Sequence, residues 1–143
     1  MRREKRPTVE MDELWSFAES KRHKIWIWPA IDRDTRQIAG VAFGDRSDKT
    51  CLKLWQSPPP DYRKRAVIYS DFQESYKNIP PSKRLRQVSK ASGETAHIER
   101  FNNTLRQRCP GQVRKTLSFS KNEALHEKRI RIFINHYNSK LSV

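Results

Sequence analysis

The chain has 143 residues, which leaves room for one domain with a real core and hardly for two. Its 30 Lys and Arg against 16 Asp and Glu give a formal net charge of +14, which favours polyanionic partners and nucleic acid first. With 35% hydrophobic and 10% aromatic residues it is too apolar for a disordered basic tail. No apolar run approaches the roughly 20 residues of a membrane span. Met1-Arg-Arg-Glu-Lys-Arg-Pro7 lacks the apolar stretch of a secretory signal, so a cytoplasmic protein without a membrane partner is expected. Cys51 and Cys109 lie far apart, and neither they nor His23, His97, His126 and His136 are spaced as a zinc site.

In chain order, residues 1–7 form a solvated basic leader and residues 8–143 one domain. A strand is predicted over 8–18, a second over Lys24–Ile31, rich in β-branched and aromatic residues, and a third over Gln37–Phe43. Short polar turns between them predict an antiparallel meander. The period then changes. Asp48–Gln56 reads as a helix with Cys51, Leu52 and Trp55 on one side, stopped by Ser57-Pro-Pro-Pro60. Ala66–Tyr69 is a buried strand with Asp71 just past its end, Phe72–Lys77 a short helix, and 83–90 a weak fifth strand. A helix over 94–108 carries an apolar stripe of Ile98, Phe101 and Leu105, and a neighbouring polar stripe of Glu99, Asn103 and Arg106. A last helix starts at Ser120, which with Glu123 makes a capping box, and buries Ile130, Phe133, Ile134 and Tyr137. The order is β-β-β-α-β-α-β-α-α, an α/β fold with a five-stranded mixed sheet.

That order separates three acids as one site requires. Asp12 lies in the first strand, Asp71 at the end of the fourth, and Glu99 on the helix after the fifth. If strands one and four pair, Asp12 and Asp71 meet, and the helix swings Glu99 over them. Clustered carboxylates raise one another's pKa and call for cations, and an all-oxygen donor set suits magnesium or manganese. Two such ions serve phosphodiester chemistry. Each acid also has a plainer role. Glu10, Asp12 and Glu13 fit an exposed strand edge, Asp71 fits an N-cap for helix 72–77, and Glu99 fits a solvated helix position. On the residues alone both readings stand.

Four blocks decide further: Glu10-Met-Asp-Glu-Leu-Trp15, Tyr69-Ser-Asp-Phe-Gln-Glu-Ser-Tyr76, His97-Ile-Glu-Arg-Phe-Asn-Asn-Thr-Leu-Arg106 and Lys115-Thr-Leu-Ser-Phe-Ser-Lys121. Together, from about residue 8 to Asn138, they resemble the catalytic part of bacterial insertion-sequence transposases, nearest the insertion-sequence-one family. The resemblance implies a ribonuclease-H-like fold of the retroviral-integrase type and an Asp-Asp-Glu triad at Asp12, Asp71 and Glu99. It also implies two magnesium or manganese ions, one between Asp12 and Asp71 and one between Asp12 and Glu99. Water would free a 3′ hydroxyl at the element's end, and that hydroxyl would attack target DNA. Arg106 matches the cation that touches DNA two turns after the glutamate, His97 the histidine two residues before it, and Asn103 fits a substrate-orienting or helix-stabilising role. Arg63, Lys64, Arg65, Lys83, Arg84, Arg108, Arg114 and Lys115 are candidate phosphate contacts. The implied partners are element ends and target DNA, further copies of the chain on DNA, and an N-terminal DNA-binding region encoded in an upstream frame. The implied location is the bacterial cytoplasm, on the nucleoid when DNA is bound. Only a few residues precede Asp12, so the chain resembles the second frame alone. A non-catalytic DNA-binding regulator, a remnant of a decayed element and a ribonuclease-H-like nuclease are the alternatives.

Overall fold

A computed structural model describes residues 6–17, 24–108 and 123–141. The predicted capping residue Ser120 and the candidate contacts Arg114 and Lys115 lie outside these residues. Among the described residues the elements run β1 (Thr8–Met11), β2 (Leu14–Phe17), β3 (Lys24–Asp32), β4 (Ile38–Gly44), α1 (Asp48–Gln56), α2 (Pro60–Arg65), β5 (Val67–Ser70), α3 (Glu74–Asn78), β6 (Leu85–Gln87), a 3-10 turn (Lys90–Ser92), α4 (Ala96–Arg108) and α5 (Glu123–Leu141). The helix predicted over 48–56 is found there, while α2 was not anticipated. Pro60, read as a stop, is the first residue of α2, where a missing N–H costs nothing.

The strands form one mixed sheet. β3 lies antiparallel between β4 on one side and β1 and β2 on the other, and β5 and then β6 continue parallel to β1. The predicted first strand is therefore two pieces, which makes six strands of the expected five. Both pieces pair with β3 in one register, Met11 with Ala30 and Leu14 with Ile27, so Asp12 stands opposite Pro29. The amide of Arg33 donates to the Thr8 carbonyl, and in an antiparallel ladder every second residue of β3 from there turns its N–H toward β1 and β2. Position 29 is one of these. Proline has no N–H to give, so the ladder opens at Asp12 and Glu13, where the amide of Glu13 turns to Asp12 Oδ1 at 2.9 Å.

Alternation along the strands feeds two cores. Leu14, Ile27, Ile31, Ile38, Val41 and Phe43 pack with Ile98, Phe101 and Leu105 of α4 and Ile130 and Ile134 of α5. Phe133 and Tyr137 of α5 border this core, with the Tyr137 ring edge-on to Phe101 at 5.0 Å between centroids. On the opposite face Val9, Met11, Trp28, Ala30, Ala42 and Ile68 pack with Cys51 and Leu54 of α1 and Tyr76 of α3. The buried side of α1 is Thr50, Cys51 and Leu54, and Leu52 is 42% exposed rather than sharing that side. Leu52 stands about 100° round the helix from Cys51, enough to carry it off the sheet.

Candidate active site

The parallel pairing of β1 with β5 builds the centre. Glu10 lies level with Tyr69, so the same register two residues on sets Asp12 beside Asp71. The end of β5 is fixed from several directions. Asp71 Oδ1 accepts the Gln73 amide at 3.1 Å, and the Gln87 side chain of β6 donates to the carbonyls of Asp71 and Gln73 at 3.1 and 3.2 Å. Asp71 is thus not the helix N-cap; Gln73 takes that place, its side chain accepting the Ser75 amide.

The acids of the first strand are buried rather than an exposed edge. Glu10 is fully buried on the α4 side. Its Oε1 accepts the amides of His97 and Ile98 at 2.9 and 3.0 Å, two of the free donors of the first turn of α4. Its Oε2 meets Arg33 Nε at 2.9 Å and His97 Nδ1 at 2.6 Å. Arg33 also bonds Glu94, through both its side chain and its carbonyl, so the loop before α4 is tied to the same cluster. A strand carboxylate therefore caps a helix 87 positions away and sets where α4 lies. Ile98, Phe101 and Leu105, none more than 1% exposed, seal the helix to the sheet. Each contributes about 2 kcal/mol.

From α4 two groups reach toward Asp12. Asn102 Nδ2 donates to Asp12 Oδ2 at 3.3 Å, leaving Asn102 Oδ1 buried without a partner. Glu99 is half-buried, receives the Thr95 hydroxyl at 2.7 Å, and lies near enough for its charge to raise the Asp12 pKa. Burial is the larger cause of that rise, with Asp71 adding to it and Lys90 opposing it. Asn103 and Arg106 are exposed on the same helix, so the amide against Asp12 is Asn102 and not its neighbour.

The remaining carboxylate is one the sequence reading did not assign. Asp12, Glu13 and Asp71 each offer one oxygen within 4.8 Å of the others. Glu13 comes from the α3 face, where Arg46 Nη2 holds its Oε1 at 3.2 Å. Burial first, and the negative charge of Asp71 second, push its carboxyl up to about 7. The donor set suits a hard divalent cation: all its atoms are oxygens, they converge, and the buried acceptors Glu13 Oε2 and Asn102 Oδ1 lack partners.

Of the candidate phosphate contacts, Arg106, Arg108, Lys64 and Lys83 are exposed. Arg63 is spent on the carbonyls of Gln56 and Pro58 at 2.9 and 2.7 Å, and Arg65 on Asp61 at 2.9 and 3.0 Å. Arg84 binds the Arg63 carbonyl at 2.6 Å and lies over Trp55. Residues 63–65 stand before β5, at the end of the sheet remote from Asp71. No helix among the described residues is long and apolar enough to cross a membrane.

A mixed sheet ordered β4-β3-β1-β5-β6, with α4 laid against β1 and acids gathered where β1 and β5 end, defines a ribonuclease-H-like protein. Residues 8–139 match the IS1 transposase family, and the chain belongs to it. It is 37% identical over 131 residues to the insertion element iso-IS1n protein InsB of Shigella dysenteriae, a match covering 90% of this chain and 94% of that one. It is 35% identical to the IS1 4 protein InsB of Escherichia coli K12, over 90% of this chain and 75% of that one. Identity to the IS1 protein InsB of Shigella flexneri is also 35%, over 90% of this chain and 96% of that one.

Proposed function

We propose that this chain cuts and joins DNA strands as the catalytic part of an insertion-sequence transposase, with Asp12, Asp71 and Glu99 as its working carboxylates. One observation carries the reading: the parallel register of β1 and β5 sets Asp12 level with Asp71, on the side where α4 bears Glu99. Asp12 and Asp71 would hold one magnesium or manganese ion, and Asp12 and Glu99 a second. Such a pair supplies activation of an attacking water or 3′ hydroxyl and stabilisation of the leaving oxygen. Asn102 holds Asp12 Oδ2 in place, Glu10 fixes the first turn of α4, and exposed Arg106 and Arg108 offer phosphate contacts farther along that helix. Element ends and target DNA are the substrates.

The test is cleavage and joining of end-labelled DNA carrying the element's termini, in magnesium and in manganese. Asp71→Asn should lower both steps about 100-fold or more at unchanged fold, since it removes electrostatic stabilisation from the reacting centre. Full activity in that variant would end the reading. Salt-sensitive DNA binding by the wild type without any cleavage would favour a non-catalytic regulator, and cleavage of RNA–DNA hybrids without joining a nuclease.

A further inference from the structure

We propose that Glu13 is a further ligand of the cation shared by Asp12 and Asp71, so that four carboxylates, not three, build the centre. The proposal rests on the function proposed above and adds a residue to its site. It begins with a buried oxygen that no described residue meets in good hydrogen-bond geometry. The Glu13 side chain is 2% exposed, its Oε1 engages Arg46 at 3.2 Å, and its Oε2 is buried without a hydrogen-bond partner. A buried anionic oxygen left bare is costly, and native proteins seldom keep one without a use. The buried Tyr76 hydroxyl stands close enough to Glu13 to lower its pKa but falls outside good hydrogen-bond geometry, so it satisfies the carboxylate only in part.

Arg46 and Tyr76 border Glu13 but leave its side toward Asp12 and Asp71 open to a cation. The Glu13 carboxylate approaches Asp12 and Asp71 within 4.8 Å, and a cation among the three would relieve the repulsion that otherwise favours protonation. Arg46 does not supply that charge at the centre. It is 48% exposed, reaches Oε1 from outside and packs over the Trp26 ring at 5.0 Å. Its geometric effect is to fix one oxygen of Glu13 and so orient the other.

Strand alternation explains why Glu13 can join. Alternation sends Asp12 and Glu13 to opposite faces of the sheet. The neighbours keep that rule, Leu14 entering the α4 core and Val9 and Met11 the α3 core. Opposite Pro29 the ladder is open, and both carboxylates reach the end of β5, Asp12 from the α4 side and Glu13 from the α3 side. Three ligands on one ion against two on the other make the sites unequal. The cation on Asp12, Glu13 and Asp71 should bind first and tightly, and the one needing Glu99 second and weakly.

Manganese binding to the 143-residue chain, followed by electron paramagnetic resonance, tests this without reference to turnover. Glu13→Gln should weaken the tighter site about tenfold or more, in line with the 10- to 100-fold seen even for outer partners of metal sites. Glu99→Gln should leave that site within about twofold, and Asp71→Asn should abolish it. Glu13→Cys gives an independent sign, because a thiolate ligand turns preference toward cadmium. Its cadmium complex should show a thiolate charge-transfer band above the background of Cys51 and Cys109. Folded Glu13→Gln with wild-type manganese affinity, beside an Asp71→Asn that has lost it, would overturn the role of Glu13 alone. So would a Glu13→Cys protein without the cadmium band. Wild-type protein that binds no manganese, or Asp71→Asn that binds it normally, would overturn the underlying reading as well.

Discussion

Single residues here do work that their types alone do not announce, and His126 is the clearest case away from the centre. It is 2% exposed, and neither ring nitrogen has a hydrogen-bond partner among the described residues. Burial, and then the charge of Arg129, hold its pKa below the ordinary value. The unfolded chain takes up a proton near the usual value of about 6.5 while the folded chain resists, so this residue's effect is to make stability fall as pH drops below that point. His126→Phe removes both the bare nitrogens and the titration. It should stabilise the protein by about 1 kcal/mol at pH 8, and by more at pH 5. Urea unfolding of the two proteins at the two pH values checks this, and an equal difference at both would contradict it. Glu10 shows the same lesson in the other direction. By composition it fitted, with Asp12 and Glu13, an exposed strand edge as readily as a site. In the fold it is the cap of α4, through contacts 87 and 88 positions apart that leave no local trace in the sequence.

Elements were more legible than residues, for a physical reason. Periodicity is local, so Ile98, Phe101 and Leu105 declared both a helix and its buried side, and the run Ala66–Tyr69 declared a buried strand. Pairing of the first and fourth strands was the condition for Asp12 to meet Asp71, and β1 and β5 do pair. What stayed hidden needed a register. Asn102 rather than Asn103 meets Asp12 because one position turns a helix by about 100°, less than the width of the stripe that periodicity defines. The break at Asp12 and Glu13 depends on Pro29, which is visible in the sequence but harmless until β3 is aligned with β1. Glu13 entered the sequence reading only as part of a possible exposed strand edge, and nothing local marks it as a partner of Asp71. Pro29→Ala tests the device. It restores a donor aimed at the Asp12 carbonyl, worth about 1 kcal/mol, and gives up a proline constraint worth about 0.4–1 kcal/mol, so stability should change little. Closing the ladder should draw the Asp12–Glu13 backbone toward β3, move both carboxylates away from Asp71 and lower strand cleavage roughly 100-fold, the scale expected of a misplaced catalytic group. Cleavage at the wild-type rate by a folded Pro29→Ala protein would show that the break is incidental.

At the scale of the whole molecule the net charge of +14 is the strongest property, and it says less than it promises until the cations are sorted. Arg63, Arg65 and Arg84 are committed to carbonyls and to Asp61, where they bind α1, α2 and the start of β5 together. Lys64 remains exposed beside them, at the end of the sheet away from Asp71. Arg106 is different. It is exposed, about 10.5 Å along α4 from Glu99, and only about 20° round the axis from it, so a strand with a phosphate at the centre can reach it. A DNA path along α4 therefore makes a prediction that total charge does not. Each phosphate neutralised contributes about −0.9 to the slope of log affinity against log salt. Arg106→Ala should weaken DNA binding and make that slope shallower by about 1, while Lys64→Ala should change it by much less. Fluorescence anisotropy of a labelled duplex across a potassium chloride series measures both. Equal losses from the two substitutions would mean that DNA also engages the far end of the sheet, and that the charge acts as a diffuse field rather than a track leading to Asp12 and Asp71.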